Sequence, residues 1–194
     1  MRLRINLLWK IMLKIDSVCV FCGSNIGNDP QFSSSAQDLG HRLADSGIRL
    51  VFGGGHIGLM GVVADAVLEK NGDVTGVIPA SLEERELAHP GVRDMHIVES
   101  MHIRKALMAE LSDAFVALPG GLGTFEELCE IMTWAQLEFH QKPIIILNVN
   151  GYYSSLLNLI DHGIEKEFMS QKHRELFHVA ESVDDLMQIL KNRV

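Results

Sequence analysis

Ala114-Phe115-Val116-Ala117-Leu118-Pro119-Gly120-Gly121-Leu122-Gly123-Thr124-Phe125-Glu126-Glu127 is an apolar run joined to an amphipathic stretch through three glycines. Five small or β-prone apolar residues in succession read as a strand buried on both faces, the kind found in parallel sheets. The glycines let backbone N–H groups approach a ligand closely, and the helix that follows presents its positive end at the same place. The stretch therefore reads as strand, anion-binding turn and helix, with two carboxylates in the first helical turn.

The same alternation repeats along the chain. Apolar, β-rich runs at 16–21, 49–52, 73–78, 94–98, 114–118, 143–147 and 177–180 are separated by helix-length amphipathic stretches at 30–46, 58–71, 100–112, 124–139, 152–166 and 183–190. Glycine, proline or asparagine marks each joint. Such a pattern predicts an α/β fold, a Rossmann-like doubly wound parallel sheet of about seven strands with helices on both faces. Ligands in these folds sit beyond the C-terminal ends of the strands. Three loops rich in glycine fall at such ends: Cys22-Gly23-Ser24-Asn25, Gly53-Gly54-Gly55, and Pro119 to Gly123. The longest irregular piece, 79–92, is expected to form a rim or lid.

With 194 residues the chain has room for one well-buried domain, expected over 15–194. The first 14 residues, among them Arg2, Arg4 and Trp9, read as an N-terminal extension. They are too short and interrupted for an export signal or a membrane span. Met12 is a credible alternative start. A composition 47% hydrophobic and 22% charged is that of a soluble protein, and a formal charge of -8 argues against a broad nucleic-acid footprint. An odd count of three cysteines makes no disulfide framework and suggests a reducing, cytoplasmic setting. Cys19 and Cys22 form a C-x-x-C, but on a strand these positions face opposite sides, and two further zinc ligands at a credible spacing are missing. Nine histidines include no H-x-x-x-H or H-E-x-x-H pair, so no metal is expected.

Residues 53–58 carry the spacing G-x-G-x-x-G, yet they follow the second strand, and no clear acidic ribose clamp ends the next one. A nicotinamide or flavin is therefore not expected. In the 100–112 helix, Met101, Leu107, Met108 and Leu111 share one arc with Arg104 at its middle. An inward guanidinium needs an anion, either a neighbouring carboxylate or a ligand. Lys105 lies at the edge of that arc. Winding the 124–139 helix puts Phe125, Leu128, Met132, Ala135 and Phe139 toward the core, Glu127 at the border beside Ile131 and Trp134, and Glu126 toward solvent. Both acids also complement the helix dipole.

Taken together, Pro119-Gly120-Gly121-x-Gly123-Thr124-x-x-Glu127, Met101-His102-x-Arg104-Lys105 and Gly53-Gly54-Gly55-x-x-Gly58-Leu59-Met60-Gly61 resemble the LOG ("Lonely guy") family of cytokinin-activating phosphoribohydrolases. The resemblance spans about 17–190. It implies a Rossmann-like homodimer that hydrolyses the N-glycosidic bond of a nucleoside 5′-monophosphate, either a cytokinin riboside 5′-monophosphate or AMP, to free base and ribose 5-phosphate. No cofactor, nucleic-acid partner or membrane is implied. Arg104 and Glu127 occupy the family's catalytic positions. Its nucleotide contacts map to Lys105, Gly121, Leu122, Gly123, Thr124, Phe125, Glu126 and Thr133, and to Glu86 in the rim. Ser24 and Gly55, at neighbouring strand ends, complete the expected set.

Two other readings compete. Many family members carry a lysine decarboxylase label, which would need pyridoxal phosphate on a lysine, and Lys105 is the only lysine near the expected site. A non-catalytic nucleotide-binding or carrier protein of the same fold is the second, weighed against the complete Arg104 and Glu127 pair.

Overall fold

A computed structural model describes residues 14–83 and 87–192. The expected extension at 1–14 therefore lies, but for Lys14, outside the described residues, and so does Glu86. The elements in chain order are β1 (Ser17–Phe21), α1 (Pro30–Asp45), β2 (Arg49–Phe52), α2 (Gly58–Glu69), β3 (Val74–Pro79), α3 (Ala80–Glu83), β4 (Asp94–Val98), α4 (Met101–Glu110), β5 (Ala114–Ala117), α5 (Leu122–Gln136), β6 (Ile144–Leu147), α6 (Ser154–Glu165), α7 (Gln171–Arg174), β7 (His178–Ala180) and α8 (Val183–Lys191), with a 3₁₀ turn at Val149–Gly151 before α6. Every expected strand is present within a residue or so of its expected ends.

All strand pairs are parallel, in the order β4-β3-β2-β1-β5-β6-β7. The chain builds outward from β1 on one side, then crosses back to place β5 against the other side of β1. That reversal is the topological switch point, where a doubly wound sheet opens a crevice. The two central strands are consequently the ones whose exits carry Gly23-Ser24 and the Pro119 to Gly123 loop.

Alternation along each strand divides the core into two layers. Val18, Val20, Leu50, Phe52, Val116 and Leu118 meet α1, α2 and α8 through Leu39, Leu43, Val63, Val67, Leu186 and Leu190. Cys19, Phe21, Val51, Phe115, Ile144 and Ile146 meet α4, α5 and α6 through Met108, Leu128, Ile131, Leu157 and Ile160. Cys19 and Cys22 fall in different layers, so the C-x-x-C spacing brings no thiol pair together. Burial pushes both thiols well above their ordinary range, with the Glu127 carboxylate adding to the effect.

The strand exits are fastened to one another by backbone bonds. Gly23 N–H donates to Pro119 O at 3.0 Å, and Leu59 N–H at the start of α2 donates to Gly23 O at 3.0 Å. Gly58 is what lets α2 come this close. Its φ is +66°, and a Cβ there would lie 2.3–2.6 Å from the backbone of Ser24 and Asn25. The three glycine-bearing loops thus form one rigid cluster.

Two helix faces depart from expectation. Phe139 is 73% exposed and outside the core face because α5 stops at Gln136, where Glu138 takes a left-handed φ of +62° and turns the chain outward. Met101, expected on the inner arc of α4, is exposed at the first turn. Among the described residues no helix is long and apolar enough to cross a membrane.

Candidate active site

Beyond the C-terminal ends of β1, β2, β3 and β5 lies a cavity of about 310 Å³, within the range of small-molecule sites. One wall is the first turn of α5 with the residue before it: Gly121, Leu122, Gly123 and Thr124. Gly121 is the N-cap of α5, and no side chain caps that end. By contrast, Asp29, Ser100 and Ser182 cap α1, α4 and α8 with side-chain oxygens. The first N–H groups of α5 are therefore open to a ligand anion. Thr124 is itself buried, its hydroxyl packed so near Gly120 that a Cβ on Gly120 would come within 2.1 Å of it. Tyr152 and Tyr153 steady the turn from beneath: Tyr153 Oη–H donates to Leu118 O at 2.6 Å, and Tyr152 Oη–H donates to Gly120 O.

Arg104 and Glu127 form the floor. Arg104, only 8% exposed, is anchored by two backbone carbonyls: Nε–H donates to Val77 O within β3 at 3.0 Å and Nη2–H to Gly53 O just past β2 at 3.1 Å. Its Nη1 lies 3.6 Å from Glu127 Oε1, too long for a hydrogen bond and near enough for strong charge coupling in a dry site. Gly53 makes this possible, since a Cβ at that position would lie 1.8 Å from Arg104 Nη2. The anion that an inward arginine requires is thus a carboxylate across a gap, helped by two carbonyls.

Glu127 comes from the second turn of α5, with only 12% of its side chain exposed. Burial raises its carboxyl above the ordinary value, and the Arg104 charge only partly offsets that rise. A carboxyl shifted in this direction by burial beside a fixed cation is what a general acid or base in a cleft looks like. Ser24 and Gly55 line the cavity as expected.

Four residues of the expected set lie elsewhere. Lys105 is not among the residues lining the cavity; from α4 it reaches across to α5, where its ammonium pairs with Glu126 and, at 3.1 Å, with Glu130. Burial alone would lower its pKa; the two carboxylates more than compensate, so it is held above its ordinary value. Glu126 is exposed, as expected, yet bound to Lys105 rather than only solvated. Phe125 turns under the helix into a cluster with Tyr152 and Tyr153. Thr133, nine residues beyond Thr124, is exposed and donates its hydroxyl to Cys129 O at 2.7 Å.

The apolar part of the cavity is marked by no motif in the sequence. Ile57, Met60, Ile78, Leu82 and Leu87, with Cys22, supply the apolar part of the lining. They come from a loop, a helix, a strand end and the rim piece, so no periodicity links them. The only available clue was that they flank the glycine cluster and the rim. No lysine is among the described residues lining the cavity, so a Schiff-base amine is not presented there.

Comparison with known proteins matches residues 60–190 to a family model described as "Possible lysine decarboxylase". The chain is 48% identical over 178 residues to the cytokinin riboside 5′-monophosphate phosphoribohydrolase LOG3 of Arabidopsis thaliana, covering 92% of this chain and 83% of that protein. It is 47% identical over 185 residues to LOG1 of the same plant, covering 95% and 87%. Among solved structures, the molybdenum cofactor binding protein from Rippkaea orientalis superposes with a TM-score of 0.70 at 19% identity, covering 93% of this chain and 98% of that one. At that identity the likeness concerns the fold alone.

Proposed function

Because this chain belongs to the LOG family of cytokinin riboside 5′-monophosphate phosphoribohydrolases, we propose that its cavity hydrolyses the N-glycosidic bond of a nucleoside 5′-monophosphate. The products are the free base and ribose 5-phosphate. The observation that carries this reading is the Arg104 and Glu127 pair beside the uncapped start of α5. In it the 5′-phosphate rests on the first N–H groups of α5, at Gly121, Gly123 and Thr124, with Ser24 and Gly55 alongside. The ribose lies over Glu127, and the base extends toward Ile57, Met60, Ile78, Leu82 and Leu87.

Cleavage of the C1′–N bond leaves positive charge on the sugar. The Glu127 carboxylate stabilises that charge and orients the attacking water, accepting a proton as the water adds to C1′, while the departing ring nitrogen keeps the bonding pair and takes up a proton from solvent; Glu127 then returns its own proton to solvent. Arg104 favours the ionised form of Glu127, and its Nη1 lies 3.6 Å from that carboxylate, on the side of the reacting centre in this placement. The apolar wall suits a base whose N6 carries an apolar substituent, as cytokinin nucleotides do. Incubation with a cytokinin riboside 5′-monophosphate or with AMP should yield free base and ribose 5-phosphate in equal amounts. Release of inorganic phosphate with the nucleoside left intact would count against the reading.

Gly53 supplies a subtler test. Gly53→Ala puts a methyl group where Arg104 Nη2 now sits, and a displacement of this size near reacting atoms costs about a hundredfold in rate. The variant should therefore lose activity and also melt somewhat lower, since the displaced guanidinium gives up its bonds to Gly53 O and Val77 O, so the rate is read on the folded fraction; an unimpaired rate would show that Arg104 placement is unimportant.

A homodimer is part of the same proposal. Met101 and Ile103 on α4, and Leu137 and Phe139 past the end of α5, are 43–73% exposed, more apolar surface than one helix pair normally leaves to water. Lys105, Glu126 and Thr133 lie on these helices off the cavity, so a nucleotide could meet them only across such an interface. Sedimentation should give a dimer that Leu137→Asp with Phe139→Asp converts to monomer; a wild-type monomer at micromolar concentration would refute the dimer.

A further inference from the structure

The rim segment carrying Leu87 is held by a short antiparallel bridge, Gly55 to Ala88. Its bonds are His56 N–H to Leu87 O at 3.1 Å and His89 N–H to Gly54 O at 2.8 Å, and the His56 ring Nδ1 also lies 3.1 Å from Leu87 O. Two or three bonds at the edge of a loop are weak by themselves. The next residue supplies the anchor. His89 is 6% exposed, its ring 6.4 Å from Phe52 in an edge-on contact. Gly91 N–H donates to His89 Nδ1 at 3.2 Å, and a backbone amide can only donate, so Nδ1 carries the lone pair and Nε2 the hydrogen. That hydrogen points to Asp65 Oδ1 on α2, 3.2 Å away.

We infer that His89, held by Asp65, is a positioning residue that sets substrate choice by fixing Leu87 against the base. This rests on the placement of the base proposed above. The chain of contacts is continuous: Asp65 orients the His89 ring, the ring fixes the backbone of Ala88 and His89 on Gly54 to His56, and this bridge holds Leu87 in the apolar wall. Neither His89 nor Asp65 lines the cavity. Their effect falls on the apolar end of the substrate and not on Glu127. A nucleotide with an apolar N6 substituent depends on that wall for binding, whereas AMP uses it far less.

Asp65 is the better position to test, because its side chain is 65% exposed and its loss does not threaten the core. Asp65→Ala should raise KM for a cytokinin riboside 5′-monophosphate roughly tenfold, the size of effect expected when an apolar subsite loses its fit. KM for AMP, and kcat for both, should be nearly unchanged. Asp65→Asn keeps the acceptor oxygen and should restore the wild-type ratio. Hydrogen exchange of the His56 and His89 amides should quicken in Asp65→Ala and His89→Ala and stay slow in Asp65→Asn. An unchanged KM ratio in Asp65→Ala overturns the inference, whether or not exchange quickens, and so does an equal loss of kcat on both substrates. If the wild type released no base from either nucleotide, the hydrolase reading would fail instead, and unaltered exchange would then dispose of the latch as well.

Discussion

Glu127→Gln should lower base release about a thousandfold while leaving the protein folded, the loss expected when a positioned proton-transfer and charge-stabilising group is removed. Glutamine keeps the shape and can still orient a water, but it can neither take a proton nor balance the charge on the sugar. The stability effect has the opposite sign. Burial raises the Glu127 carboxyl in the folded state, so its contribution to stability is present below the unfolded pKa and lost as pH rises through the folded one. Above the unfolded pKa, burial of this carboxyl therefore costs stability that glutamine does not. The variant should melt at or above the wild-type temperature at pH 7, with the difference closing toward pH 4. For the wild type, the acid limb of the rate profile should fall at a pKa above that of an ordinary glutamate. A variant that is inactive because it is unfolded would show none of this.

Arg104→Ala should cost about a hundred- to a thousandfold, as the loss of one charged group aimed at a reacting centre commonly does. It also leaves Gly53 O and Val77 O without their buried donor, worth roughly 1–3 kcal/mol for each group that water fails to reach. A lower melting temperature is thus part of the expectation, and activity must be read on the folded fraction. The diagnostic feature is the pH profile. With the opposing charge gone, Glu127 should hold its proton to higher pH, so the residual activity should shift its acid limb upward. Arg104→Lys retains the charge but cannot span two carbonyls and still face Glu127, and should recover little. An unshifted limb in Arg104→Ala would mean that the two groups are not coupled.

The strands were legible because each is a continuous apolar run closed by glycine, proline or asparagine, and a sheet buried on both faces needs such runs. The single turns α3 and α7 and the 3₁₀ turn at Val149–Gly151 were not, since three or four residues show no periodicity. The end of α5 was missed for a local reason: nothing in Leu137-Glu138-Phe139 marks the left-handed turn at Glu138. At the site, helical winding placed Arg104 inward and Glu127 at the border of the core, where the structure has them. Winding alone could not say that Lys105 would be taken up by Glu126 and Glu130, or that Phe125 would join Tyr152 and Tyr153, because those partners lie on other elements or far along the chain. The apolar wall was illegible for a different reason. Leucine, isoleucine and methionine look the same in a binding face as in a core, and only the folded chain separates Leu87 from Leu128.

One comparison tests most directly that Glu127 drives hydrolysis of the N-glycosidic bond. Wild type and Glu127→Gln are incubated with a cytokinin riboside 5′-monophosphate in ¹⁸O-water, and base and sugar phosphate are analysed together. The wild type should release free base and an equal amount of ribose 5-phosphate that has taken one oxygen from the solvent, and the variant should release almost none. Intact nucleotide with the wild type, or equal base release from both proteins, would contradict it.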